Sequence, residues 1–138
     1  MATINQRVVF KNTSTKKLYR LYMDANLHGF ITAGPVNISS KAGSRLNVFG
    51  GYITGRTLMT VNNKLVVQSW RAAKWSKIDP DSALILSFEQ KGRNAVMYLC
   101  HANVPAGRAK GLNKGWHEHY WTPWKQYLAG RKITRPEN

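Results

Sequence analysis

Acidic residues are what this 138-residue chain has least of: six Asp and Glu against 21 Lys and Arg, a formal charge of +15. The shortage removes the paired carboxylates that glycosidase-type acid–base chemistry uses. Asp79 and Asp81 flank Pro80 in a turn, Glu118 stands on the final helix with a solvent aspect, and Glu89 has no fixed side. Few acids also means few oxygen ligands for a metal. Cysteine is nearly absent, and the single Cys100 excludes an internal disulfide. No apolar run approaches the roughly 18 residues of a membrane span, and MATINQRVVF holds no signal-peptide hydrophobic region. A cytoplasmic location is therefore expected. Internal repeats, low-complexity stretches and composition breaks are missing too, so one domain, 1–138, is expected, its polar tail 131–138 frayed.

Positive charge and aromatic rings are abundant. The cations are scattered in small groups: Lys16, Lys17 and Arg20; Lys41 and Arg45; Arg108, Lys110 and Lys114; Arg131, Lys132 and Arg135. No nucleic-acid motif accompanies them, so a basic solvated surface is preferred to a nucleic-acid site. The rings concentrate in Gly111–Gly130, GLNKGWHEHYWTPWKQYLAG. Trp116, Tyr120, Trp124, Tyr127 and Leu128 recur at helical spacing and share a face. Pro123 interrupts the pattern and predicts a bend near residues 119–123. A basic loop is expected between Gly107 and this helix.

The chain ahead of the helix reads as a strand over 5–12, with Val8 and Phe10 on one side and Arg7 and Val9 on the other. Thr13 or Ser14 can cap a helix Thr15–Met23. Asp24 or Asn26 can cap a second, Ala25–Ala33, with Leu27, Phe30 and Ile31 inward and His28 at the surface or an edge. Gly34-Pro35 ends it. From Val36 to His101 the period falls to two, predicting strands near 36–39, 45–50, 52–61, 65–73, 83–90 and 94–102. Asn62-Asn63 supplies a two-residue hairpin turn, and Lys91-Gly92-Arg93 the last turn. Short turns imply an antiparallel meander. The fold class is α+β: a curved antiparallel β-sheet wrapped around a long C-terminal helix, with two short helices after the first strand, the helix-grip shape.

Most chemical motifs dissolve on inspection. Gly50-Gly51 and Gly55 precede β-type residues, not a helix N-terminus, so they mark a bend rather than a phosphate cradle. His117 and His119 point about 160–200° apart on a helix and cannot share an ion. Cys100 and His101 are strand neighbours on opposite faces, which forbids a nucleophile–base contact. Arg71, of opposite parity to Trp70, is expected outside, paired with a carboxylate. Alternation does gather one set inward: Val66, Gln68 and Trp70; Leu84, Leu86 and Phe88; Met97, Leu99 and His101; and, opposite them, Trp116, Tyr120 and Trp124. That composition, apolar with Gln68 and His101 as polar handles, suits a small-molecule pocket. The same residues can equally fill a solid core.

Four segments resemble, in order, motifs of the family named for the activator of heat-shock protein 90 ATPase. They are Phe49-Gly50-Gly51-Tyr52-Ile53-Thr54-Gly55, Val67-Gln68-Ser69-Trp70-Arg71, Met97-Tyr98-Leu99-Cys100-His101, and Gly115-Trp116 followed by Tyr120 and Leu128. The resemblance implies the helix-grip fold shared with birch-pollen allergens, lipid-transfer START domains and polyketide cyclases. The eukaryotic co-chaperone also has an N-terminal chaperone-binding domain, for which this chain is expected to lack room. The final helix carries heavier aromatics than the family's aliphatic pattern, rings large enough to fill the chamber.

The function expected is non-catalytic binding of a small hydrophobic or anionic amphipathic ligand between sheet and helix. The site would comprise Phe49, Gln68, Trp70, Leu86, Phe88, Met97, Leu99, His101, Trp116, Tyr120 and Trp124, with no metal and no cofactor. His101 is the one candidate should the chamber be catalytic. The alternatives are a chaperone-related protein-interaction module without an open cavity and a basic nucleic-acid-associated protein.

Overall fold

Along the first strand, β1 (Ala2–Phe10), Ile4, Val8 and Phe10 are buried, half-buried Gln6 shares their side, and Asn5, Arg7 and Val9 face the other way. The structure is a computed structural model and describes residues 1–136. Ser14 caps α1 (Thr15–Met23), accepting from the Lys17 N–H at 3.2 Å. Asp24 caps α2 (Ala25–Thr32), accepting from Asn26 and Leu27 at 3.0 Å. Ala33 ends α2 in the left-handed region, φ 58°. Six more strands come after it: β2 (Val36–Asn37), β3 (Arg45–Val48), β4 (Ile53–Val61), β5 (Leu65–Ala72), β6 (Ser82–Lys91) and β7 (Asn94–Val104). They form a meander, and β1 returns to pair with β7. The result is a seven-stranded, curved antiparallel sheet ordered β1, β7, β6, β5, β4, β3, β2. The α+β helix-grip layout read from the sequence is the one present.

Register aligns the inward residues into rows. Trp70 pairs with Ser82; Gln68 with Leu84, His101 and Ile4; Val66 with Leu86, Leu99 and Gln6; Phe88 with Met97 and Val8. Helix residues 106–128 lie across these rows as α3 (Ala106–Trp116), a π-turn (His117–Trp121) and α4 (Thr122–Leu128). The π-turn is where the bend was expected. The Thr122 N–H bonds back to His117 O, five residues away, and Pro123, which has no N–H to give, opens α4. Gln6 anchors the helix from below: its Oε1 accepts from Trp121 Nε1 at 2.7 Å, and its Nε2 donates to Asn113 O at 2.9 Å.

Several local expectations give way. The "basic loop" of Arg108, Lys110 and Lys114 is helical, because α3 starts directly after Pro105. β1 ends at Phe10 rather than residue 12, where Asn12 turns with φ 53°. The β4–β5 turn has three residues, not two, with Asn63 at φ 64° and Lys64 N–H bonded to Val61 O. On α2 the buried stripe is His28, Ile31 and Thr32, so Phe30 faces outward and His28 is only 1% exposed. The tail also docks rather than frays over 131–136. Arg135 donates to Phe30 O at 2.6 Å and Ile31 O at 3.2 Å, satisfying carbonyls at the end of α2, and its guanidinium covers the Phe30 ring. Glu137 and Asn138 lie outside the described residues. Among the described residues no helix is long and apolar enough to cross a membrane.

Candidate functional site

The middle of the grip is solid, and its polar groups are paired with each other except the buried Trp124 Nε1–H, which has no acceptor among the described residues. Tyr22 O–H donates to Gln68 Oε1 at 2.7 Å, and Gln68 Nε2 donates to Thr57 Oγ1 at 3.3 Å. His28 Nδ1 lies 2.8 Å from Tyr22 O, a pure acceptor, so Nδ1 carries the hydrogen and Nε2 accepts from Tyr120 O–H at 2.8 Å. His101 has the other tautomer. Trp116 Nε1–H can only donate, so Nδ1 accepts it at 3.2 Å; Nε2–H then donates to Ser82 Oγ at 2.7 Å, and Ser82 passes its own hydrogen to Trp70 O at 2.6 Å. Burial holds both imidazoles neutral, lowering each pKa to about 4, with the Tyr22 carbonyl partly offsetting the effect at His28. Burial likewise pushes the Tyr22 and Tyr120 hydroxyls up. No lone pair of His101 is left for chemistry, and it is fully enclosed.

Two spaces of similar volume flank this packing, a groove between Val9–Asn12 and Lys125–Ala129 and a more aromatic cleft at the α3 end of the grip. A half-open cleft of about 340 Å³ separates α3 from the ends of β4 and β5 and the loop after β5. Its sheet side is aromatic: Phe49, Tyr52, Trp70 and Trp75, with Ile53 and Ala72. Its floor is Trp116 and Tyr120. Its helix side is rich in glycine: Gly107, Gly111 and Gly115 recur every four residues and share one face, and Arg108, Leu112 and His119 supply the side chains there. A Cβ added at Gly107 or Gly111 would meet no atom within 4 Å, and one at Gly115 would meet only His119, at 3.9 Å. Internal packing therefore places no demand for glycine at these positions. His119 lies edge-on to Phe49 at 5.6 Å; burial lowers its pKa, with neighbouring Glu118 pulling the other way.

Two devices shape the opening. At the sheet bend Phe49, Gly50 and Gly51 all have positive φ, and β4 then runs so close to β5 that a Cβ on Gly55 would sit 1.9 Å from Ser69 O. The glycines read as a bend are a bend. Beyond β5, Arg71 binds Asp81 at 2.8 Å, Asp79 O at 2.9 Å and Ser76 O at 2.9 Å, as its outward parity predicts. It thereby folds residues 73–81 into a hairpin that holds Trp75 against Trp70, 5.6 Å between rings. Arg108 on α3 ties the same hairpin down through Lys74 O at 3.1 Å.

Of the expected site residues, Phe49, Trp70, Trp116 and Tyr120 line this cleft; Gln68, Leu86, Phe88, Met97, Leu99, His101 and Trp124 lie in the closed core. Sequence reasoning missed Trp75, Lys74, Arg108 and the three glycines. The i, i+4, i+8 spacing of the glycines was visible; the loop expected after Gly107 separated the first from the other two. Trp121 counted among the heavy rings of the final helix but not among those of its inner face. It is buried because the five-residue π-turn brings it onto the face of Trp116, the two indoles stacking at 5.6 Å and 12°. All five tryptophans thus form one chain of contacts, Trp75–Trp70–Trp116–Trp121–Trp124, with ring separations of 5.6, 6.0, 5.6 and 4.9 Å. Cys100 is half-buried on the face of β7 opposite His101. Among the described residues no three His, Cys, Asp or Glu are close enough to share a metal ion.

The comparisons with known proteins agree with this architecture. The family described as Activator of Hsp90 ATPase homolog 1-like protein matches residues 12–129. Activator of 90 kDa heat shock protein ATPase homolog 2 of Mus musculus is 20% identical over 117 residues, covering 85% of this chain and 35% of the mouse protein. The chain spans about a third of the length of the curated relatives it matches. Among solved structures, an HSP90 activator from Plasmodium falciparum superposes with TM-score 0.84 at 18% identity, over 96% of this chain and 99% of that one. A Mesorhizobium loti protein superposes with TM-score 0.81 at 16% identity, over 96% and 100%.

Proposed function

The chain belongs to the family of activator of Hsp90 ATPase homolog 1-like proteins, and from that premise we propose that it binds a small hydrophobic or amphipathic molecule in the cleft between α3 and the sheet. The observation that carries this reading is the cleft: about 340 Å³, aromatic on one side and rich in glycine on the other. That volume lies in the range of small-molecule sites. Each helix-interior glycine costs about 1 kcal/mol against alanine, and an occupant lying flush against the helix gives the three glycines a use. The seven expected residues in the closed core act as the wall behind the site rather than as its contacts. Among the described residues no side chain in the cleft forms a nucleophile–base pair, and the reading is binding without catalysis.

Titration with the neutral fluorophore N-phenyl-1-naphthylamine, alongside native mass spectrometry, tests it. Saturable one-to-one binding is expected, and Gly111→Trp, which fills open space rather than core, should abolish it. Unchanged binding by that variant, or none by the wild type, would move the function elsewhere.

A protein partner is the second reading. It is favoured by the heat-shock protein 90 activators among the relatives and by exposed Leu58, Met59 and Val61 on β4, past the point where β3 stops pairing. Turnover of ATP by heat-shock protein 90 with and without the chain measures it, and Leu58→Ser/Met59→Ser should weaken any stimulation.

A further inference from the structure

The cleft has a charged end. Lys74, from the loop after β5, and Arg108, from the first turn of α3, are both exposed and line it side by side, Arg108 Nη2 lying 3.1 Å from Lys74 O. Neither belongs to an ion pair among the described residues. Arg108 gives a hydrogen bond to Lys74 O from Nη2 alone, so its other N–H groups have no protein acceptor among the described residues. The contrast with Arg71 is informative. That guanidinium, at the end of β5, is spent on Asp81 and two carbonyls. Among the described residues no acidic side chain lines the cleft at all.

Polarity therefore runs along the cleft, from two free cations at the mouth to indole and phenol rings at the floor. The helix side offers glycine at three successive turns, with Leu112 the one aliphatic side chain among them, and the opposite side is made largely of aromatic rings. A molecule that fits must be flat on one side, apolar through its body and negative at one end. The volume sits near the lower end for ligand sites and suits roughly two or three rings. Ring-on-ring contact favours an aromatic body, and a fork of N–H donors beside an ammonium favours a carboxylate, sulfonate or phosphate head.

Resting on the reading of the cleft as a ligand site, we infer that its ligand is a flat aromatic anion, bound rings-first against Trp70, Trp75 and Trp116 with its charged head held at the mouth by Lys74 and Arg108.

Two probes of nearly the same shape test this: anionic 1-anilinonaphthalene-8-sulfonate and neutral N-phenyl-1-naphthylamine, titrated at physiological salt. In Lys74→Gln/Arg108→Gln the Kd of the anionic probe should rise about three- to tenfold, while that of the neutral probe stays within about twofold. The double variant Arg131→Gln/Lys132→Gln removes the same charge beyond the far end of the helix and should leave both probes unchanged. Three outcomes overturn the inference while sparing the cleft as a site: no change for the anionic probe, an equal change for both, or the same loss from the distant pair. If neither probe binds the wild type, or Gly111→Trp keeps both, the ligand reading itself falls and the inference goes with it.

Discussion

The two halves of the C-terminal helix use opposite means on the same sheet. Before Trp116 the helix presents Gly107, Gly111 and Gly115; after it come Tyr120, Trp121, Pro123 and Trp124, all buried. Where the rings lie, strand rows and helix close on each other, and every imidazole, amide and phenol between them has a partner. Where the glycines lie, the sheet bend at Phe49–Gly51 and the hairpin held by Arg71 complete a cleft. One grip is thus solid under its rings and open beside its glycines. The sealed end supplies the stability that the glycine-weakened end gives up.

Four experiments would break or sharpen that contrast. Acid should act most strongly, and on the sealed half. His28 and His101 titrate near 4 in the folded chain against about 6.5 unfolded. Between those values the unfolded state binds more protons, so stability is complete above about pH 6.5 and falls as the pH drops toward 4. The loss should be on the order of 3 kcal/mol for each histidine. Denaturant midpoints that stay level across this window would refute imidazoles held neutral by burial.

Next in size is truncation. Trp121→Ala removes a fully buried indole and its bond to Gln6, and should cost about 3–5 kcal/mol. Leu112→Ala at the half-buried cleft wall should cost less than about 2 kcal/mol. Equal losses in chemical denaturation would mean the two halves are packed alike. Smaller again is Tyr22→Phe, which strands the buried Gln68 Oε1 and should cost about 1–3 kcal/mol with little change in probe binding. The smallest effect carries the opposite sign. Gly111→Ala should raise stability by about 1 kcal/mol, read as a higher thermal midpoint, while weakening the neutral probe. A stabilised variant with unaltered binding would separate the glycines from the ligand.

The sequence made the sealed half legible and left the open half obscure, for physical reasons. Alternation along β5, β6 and β7 identified the inward rows because strand parity is local and exact pairing is not needed to read it. Turn residues likewise announced the meander. The cleft depends on features without a periodic signature: a hairpin folded by one arginine, a helix that begins ten residues before its first aromatic, and a π-turn. Trp121 shows the last point well. On a regular helix it falls off the face of Trp116, and only the wider turn, set by Pro123 and the core beneath, brings it inside. Phe30 and His28 exchanged their expected places because α2 is short, and its inward side is chosen by Tyr120 across the core rather than by its own hydrophobicity.

The unbroken line of five indoles has an optical consequence. Neighbouring rings stand 4.9–6.0 Å apart, close enough for light absorbed by one to migrate to the next before it is emitted. Trp75 and Trp70 touch the cleft while Trp121 and Trp124 lie in the sealed half. An absorbing occupant beside Trp75 would therefore drain fluorescence from rings it never approaches, and the protein's own glow becomes a meter of how full the cleft is.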